Sequence, residues 1–174
     1  MWTSWPVGSE SSAILDLMTA TGDSHGQQAM TIHPIVGAWR LVKYEPQTPD
    51  ASKRLPFGGC VSGSLIYAAE GFMSVAIMSG NRTNFTSDDR LAGTPDEYAQ
   101  AMKTYVSYCG RYSADSDQVV HHIELSQFPN WSGTEEVRFY SIDGEWMHMH
   151  TPPFVLGGIE QIAHIVWQRV PDNG

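Results

Sequence analysis

From Val36 onward the chain is divided into short runs of β-branched and aromatic residues separated by tight-turn residues, and no other feature constrains its fold more. Runs of strand length span Val36 to Glu45, Val61 to Ala69, Phe72 to Ser79, Arg111 to Ala114, Val119 to Ser126, Thr134 to Ile142, Glu145 to Thr151 and Ile159 to Val170. Glu70-Gly71 and Asp143-Gly144 are hairpin signals, because glycine reaches the positive φ that such turns require. One helix interrupts the series. Thr94-Pro95-Asp96-Glu97 combines a capping Thr, Pro at the first helical position and Glu three residues after the cap. Tyr98, Ala101, Met102, Tyr105 and Cys109 follow at helical spacing, which predicts a helix stopped by Gly110. No strand–helix–strand alternation demands a parallel sheet. The pattern predicts an all-β fold: an eight-stranded up-and-down antiparallel barrel, closed so that no sheet edge is left, with one helix between the third and fourth strands. An open sandwich is the competing arrangement.

At 174 residues the chain has room for one ordinary domain. Residues 1–33 read as a tail rich in Ser, Thr, Gly and Gln, with a short apolar cluster at Ile14, Leu15, Leu17 and Met18; residues 34–171 hold the barrel. Lys+Arg 10 against Asp+Glu 19 gives a net charge of -9, which repels a polyanion, so nucleic acid is not expected as a partner. No apolar run reaches the roughly 18–20 residues that cross a bilayer. Met1 to Pro6 lack the basic start and apolar block of a secretory leader. Cys60 and Cys109 then read as free thiols in a reducing compartment, and the expected location is the cytoplasm.

Gly37-Ala38-Trp39 on the first strand resembles the Gly-x-Trp signature of the lipocalins, and Arg169 resembles the arginine that covers that tryptophan. A guanidinium over an indole face closes one barrel end by a cation–π contact. Longer strings carry a more specific resemblance. Gly63-Ser64-Leu65-Ile66-Tyr67, Gly71-Phe72-Met73-Ser74-Val75, Ala92-Gly93-Thr94-Pro95-Asp96-Glu97-Tyr98 and Gly110-Arg111-Tyr112 occur in order. His121-His122, Pro129-Asn130-Trp131-Ser132-Gly133, Thr151-Pro152-Pro153 and Val166-Trp167-Gln168-Arg169-Val170 follow. Together they resemble the lipocalin-like domain family of small bacterial and fungal proteins, over roughly residues 35–170. The resemblance implies a calycin-type barrel around a small hydrophobic molecule. Some fungal members are associated with tailoring of polyketides and terpenoids, as cyclases, isomerases or pericyclic catalysts, although one fold hosts many functions. Secreted lipocalins carry disulfides and a leader; this chain departs from them on both points, away from an extracellular carrier.

Strand parity sorts the candidate site residues, because alternate side chains of a barrel strand face inward. Val119, His121, Ile123 and Leu125 form the apolar, inward set of their strand, against Val120, His122, Glu124 and Ser126 outward. His121 is thus expected to aim an imidazole at the lumen as a general acid or base. Tyr67 shares a face with Val61, Gly63 and Leu65 and is expected to donate a hydrogen bond to a ligand carbonyl or developing enolate. A hydrogen-bonded core histidine and a packed core tyrosine are the alternative readings. Gln161 shares parity with Ala163, Ile165 and Trp167 and is a third polar candidate. Met73, Tyr108, Trp131, Met149 and Phe154 are expected to line an adaptable apolar pocket, with Tyr108 on the helix and Phe128 to Trp131 in a mouth loop.

His148, His150 and His164 raise the question of a metal, but the apolar alternates Met147 and Met149 claim the interior and point these imidazoles outward, so no metal is expected. Glu124 and Arg138 read as a surface ion pair on adjacent strands. No phosphate loop, dinucleotide fingerprint or nucleophile elbow is present, and no cofactor is expected. Two functions follow. One is a cofactor-independent cyclase or isomerase acting on an apolar, oxygenated polyketide or terpenoid intermediate through His121 and Tyr67. The other is a non-catalytic carrier of a similar molecule, and either function is compatible with a homodimer.

Overall fold

The computed structural model describes residues 33–49 and 56–171, so the expected tail and its apolar cluster lie outside the described residues, apart from His33. The strands are β1 (Gly37–Gln47), β2 (Val61–Tyr67), β3 (Phe72–Ser79), β4 (Tyr105–Ala114), β5 (Gln118–Ser126), β6 (Glu135–Asp143), β7 (Trp146–His150), β8 (Phe154–Leu156) and β9 (Ile159–Arg169). Each pairs antiparallel with its neighbour in the order β1-β2-β3-β4-β5-β6-β7-β9, and a β1–β9 pairing closes the ring. The closed eight-stranded barrel replaces the open sandwich. β8, not expected from the sequence, is a three-residue strand paired with the start of β9. Its turn, Gly157-Gly158, has positive φ at both residues (61° and 79°), a conformation that glycine enters without strain.

Helix α1 (Pro95–Lys103) lies between β3 and β4 and begins as its capping motif dictates. The Thr94 hydroxyl accepts from the Glu97 amide at 3.3 Å, and the Glu97 carboxylate accepts from the Thr94 amide at 2.7 Å. Amides of Thr94 and Thr86 hold the Glu97 carboxyl down to about 2. The helix ends earlier than its spacing predicts. Tyr105 to Cys109 belong to β4, where they pair with Met78 back to Ser74 of β3. A run of aromatic and β-branched residues next to an unpaired strand gains a full ladder by extending, and that tertiary gain overrides local helical spacing. Gly110 is therefore no helix stop. It sits at a register shift between β4 and β5, where a Cβ would collide with the His122 carbonyl.

Two such shifts re-aim side chains. Cys109 pairs with Leu125 and Gly110 with Ile123, which leaves Glu124 as an extra residue and turns Leu125 outward, 69% exposed, where parity predicted it inside. On β1, Leu41 pairs with Trp167 and Lys43 with Val166, so Val42 is extra and Tyr44 turns toward the core. One end of the barrel is shut by Trp39, whose indole N–H donates to the Ile35 carbonyl at 2.9 Å. Arg169 lies over its ring at 4.1 Å and donates to the carbonyls of Val36 (2.8 Å) and Pro34 (2.6 Å), as the resemblance implied. Trp39, Trp167, Leu65 and Met147 are buried around it. Cys60 and Cys109 are free thiols.

Candidate functional site

A connected line of polar side chains crosses the interior, which also buries Gln161 and Thr151. His121 on β5, 2% exposed, occupies its centre. Its Nε2 is 2.6 Å from the hydroxyl of Tyr67, the last residue of β2, and its Nδ1 is 3.0 Å from the hydroxyl of Tyr108 on β4. From β6, Arg138 donates through Nη2 to the Tyr108 oxygen at 3.4 Å and through Nη1 to Glu136 at 2.9 Å and to the Val137 carbonyl at 2.7 Å. Four strands thus contribute one connected chain: Tyr67, His121, Tyr108, Arg138, Glu136. An unpaired polar group buried here would cost about 1–3 kcal/mol, so the members hold one another in register.

Burial sets the protonation states. Desolvation, helped by electrostatic interaction with Arg138 and His122, drives the His121 imidazole down to about 3, so it is neutral. Desolvation raises both phenols: Tyr67 well above its usual value, with Tyr108 adding and Arg138 opposing, and Tyr108 likewise against the opposing Arg138. Burial works against the Arg138 guanidinium too, but Tyr108 and the Glu136 carboxylate outweigh it and keep the group charged. Tyr44, brought inside by the β1 bulge, is pushed up to about 12, chiefly by burial and against the pull of Arg138.

Of the residues singled out in the sequence, Tyr67, His121 and Tyr108 meet in this chain, with Tyr108 on a strand rather than the helix. Met73, Met149 and Gln161 are buried, and Trp131 and Phe154 pack against the core half-buried. Trp131 stands edge-on to Tyr108, with centroids 5.7 Å apart and planes at 89°, and Phe128 packs edge-on against Trp131. The surface pair Glu124–Arg138 does not form. Arg138 is only 9% exposed and pairs with Glu136, while Glu124 lies 3.9 Å from Arg111. The reason is register: Arg138 pairs with inward-facing Val119, and Glu136 pairs with His121. Sequence reasoning missed Arg138, Glu136 and Tyr44. The signal for the first two was present, because the parity of β5 carries across to the strand paired with it.

The histidine-rich third lies on the outer wall. His150 is stacked between Phe139 (5.0 Å) and His164 (5.9 Å), and His148 is exposed. Asp117, Phe139, Tyr140, Ser141, His148 and His150 line a shallow outer pocket of about 330 Å³, and a second of about 300 Å³ lies against β3, β4 and β5 beside Leu125. Among the described residues no three His, Cys, Asp or Glu side chains gather as metal ligands. No helix among them is long and apolar enough to cross a membrane.

Comparison with known proteins agrees with this architecture. The lipocalin-like domain family matches residues 36–170. A relative from Aspergillus oryzae, the 4'-hydroxy-3'-methoxypropiophenone carrier protein ppsC, is 32% identical over 108 residues, covering 57% of this chain and 97% of that protein. With the Gly-x-Trp and arginine closure, the eight-stranded ring and a family match from the first strand to the last, the chain belongs to the lipocalin-like domain family.

Proposed function

We propose that this protein binds and carries a small oxygenated aromatic molecule inside its barrel. The observation that carries the reading is the buried Tyr67–His121–Tyr108 chain: protonated phenols around a neutral imidazole, beside a core of aliphatic, thioether and aromatic side chains. Such a site suits a ligand that is mostly apolar and has a few oxygens to place. Met73, Met147 and Met149 line the same interior, and their unbranched side chains yield to an incoming ring. The relative's name points the same way, since a hydroxymethoxypropiophenone is a small aryl ketone. An imidazole whose pKa is about 3 and whose two nitrogens are both engaged is poorly placed for proton transfer near neutral pH, which favours carriage over acid–base catalysis.

The protonated phenols favour a second reading, a cofactor-independent cyclase or isomerase acting on a polyketide or terpenoid intermediate. Donors held ready in a dry interior can polarise a carbonyl without moving a proton. Incubation with 4'-hydroxy-3'-methoxypropiophenone and an extract rich in apolar metabolites, followed by native and chromatographic mass spectrometry, separates the two. A compound retained unchanged at one per barrel supports the carrier. A new product, absent from the heat-inactivated control and lost when His121 and Tyr67 are both replaced, supports the enzyme.

A further inference from the structure

The neutral imidazole of His121 has one nitrogen that bears a proton and one that accepts. Its two contacts differ in length. The 2.6 Å contact from Tyr67 Oη to Nε2 fits a hydroxyl donating to nitrogen, and the 3.0 Å contact from Nδ1 to Tyr108 Oη fits an N–H donating to oxygen. With the proton on Nδ1, the Tyr67 hydroxyl donates to Nε2 and Nδ1–H donates to the Tyr108 oxygen. That oxygen also accepts from Arg138 Nη2 at 3.4 Å. Both of its partners donate to it, so its own O–H has no acceptor among the described residues. Arg138 is in a similar state. Glu136 and the Val137 carbonyl hold its Nη1 at 2.9 and 2.7 Å, whereas among the described residues the single contact of Nη2 is the long one to Tyr108.

We propose that the Tyr108 hydroxyl and Arg138 Nη2 form a two-donor cradle for one uncharged carbonyl oxygen of the carried molecule. This rests on the carrier reading and adds the group that is recognised. A carbonyl oxygen has two lone pairs and accepts both donors at once. A carboxylate fits less well, because Glu136 already neutralises the guanidinium and a second anion would be desolvated beside it. Trp131, edge-on to Tyr108, supplies an aromatic neighbour for the ring that carries the carbonyl.

The test compares two probes that differ in one group: 4'-hydroxy-3'-methoxypropiophenone and 2-methoxy-4-propylphenol, which has a methylene where the ketone has its carbonyl. Titrations of tryptophan fluorescence should show the ketone bound at least about tenfold more tightly, as expected for hydrogen bonds that include a charged donor. Tyr108→Phe should reduce the discrimination, because only Arg138 Nη2 is left to donate, with far-UV circular dichroism reporting that the variant is folded. Arg138→Lys should reduce the discrimination without abolishing it. Equal binding of both probes by the native protein, or unchanged discrimination in Tyr108→Phe, overturns the cradle and leaves the carrier reading standing. Failure of both probes to bind overturns the carrier reading and the cradle with it. Nitrogen-15 spectra of His121 give a check without ligand: protonation at Nδ1 is expected. Protonation at Nε2 would place the free hydroxyl proton on Tyr67 and overturn the proposal.

Discussion

The barrel contains two sheltered arginines, and they are used in opposite ways. Arg169 at the closed end is held through both terminal nitrogens: its guanidinium covers the Trp39 ring at 4.1 Å and caps two main-chain carbonyls at the turn into β1. Arg138 on β6 is held firmly through Nη1, and among the described residues its Nη2 reaches only a phenol, at the limit of hydrogen-bond length. A cation held through both terminal nitrogens over an indole is a staple. An anchored cation with a donor to spare is, in the cradle proposed above, a recognition group, since such a donor gains most from an acceptor that arrives with a ligand. Closure of the fold and ligand chemistry thus fall, on that proposal, to two different arginines of one barrel.

Several measurements would break or sharpen that division. The largest effect is expected from acid. His121 stays neutral in the folded state down to about pH 3, whereas in the unfolded chain it takes up a proton below about 6.5. The unfolded state therefore binds more protons in that window. Stability is full above pH 6.5 and falls by about 1.4 kcal/mol per pH unit below it, for a total of about 4–5 kcal/mol. Urea midpoints at pH 7, 6 and 5 read the slope before most carboxylates titrate, and His121→Gln should flatten it.

Trp39→Ala should cost about 3–5 kcal/mol in the same assay, since it removes a fully buried indole and leaves Arg169 without its ring. Arg138→Met should cost about 3 kcal/mol, because it strands Glu136 in a half-buried site, and adding Glu136→Gln should recover part of the loss. Arg169→Lys, which keeps the charge but loses the planar fork, should cost about 1–2 kcal/mol. The ratio of ketone to propylphenol affinity should then change in the Arg138 variant and stay constant in the Arg169 variant; equal changes in both would erase the distinction between the two arginines. The smallest effect, about 1 kcal/mol, is expected of Thr94→Ala at the cap of a helix that has no buried side chain, with no effect on binding.

Features that are local in the chain were legible in the sequence. The capping box of α1, the glycine turns after β2 and β6, and the inward aim of Tyr67, His121, Met149 and Gln161 follow from neighbours a few residues apart, and the structure has them where the pattern places them. Features that depend on which strand lies alongside were not. Tyr105 to Cys109 have helical spacing but extend, because β3 offers them a ladder. Leu125 and Tyr44 each changed sides through one extra residue, Glu124 or Val42, and the adjoining sequence does not mark those bulges. Arg138 looked like a surface charge because both faces of β6 carry aromatic residues, which hides the parity.

By itself, then, the sequence determined the number of long strands, the hairpin order and the single helix, since turn chemistry and a two-residue period act within one segment at a time, while the tryptophan–arginine closure was legible only through the resemblance to the lipocalins. Tertiary structure alone decided the polar chain through the interior. Tyr67, Tyr108, His121, Arg138 and Glu136 come from four strands, and only the closed barrel, with its bulges and cross-strand register, brings them within hydrogen-bond reach and buries them away from the water that would otherwise stabilise the imidazolium and screen the ion pair.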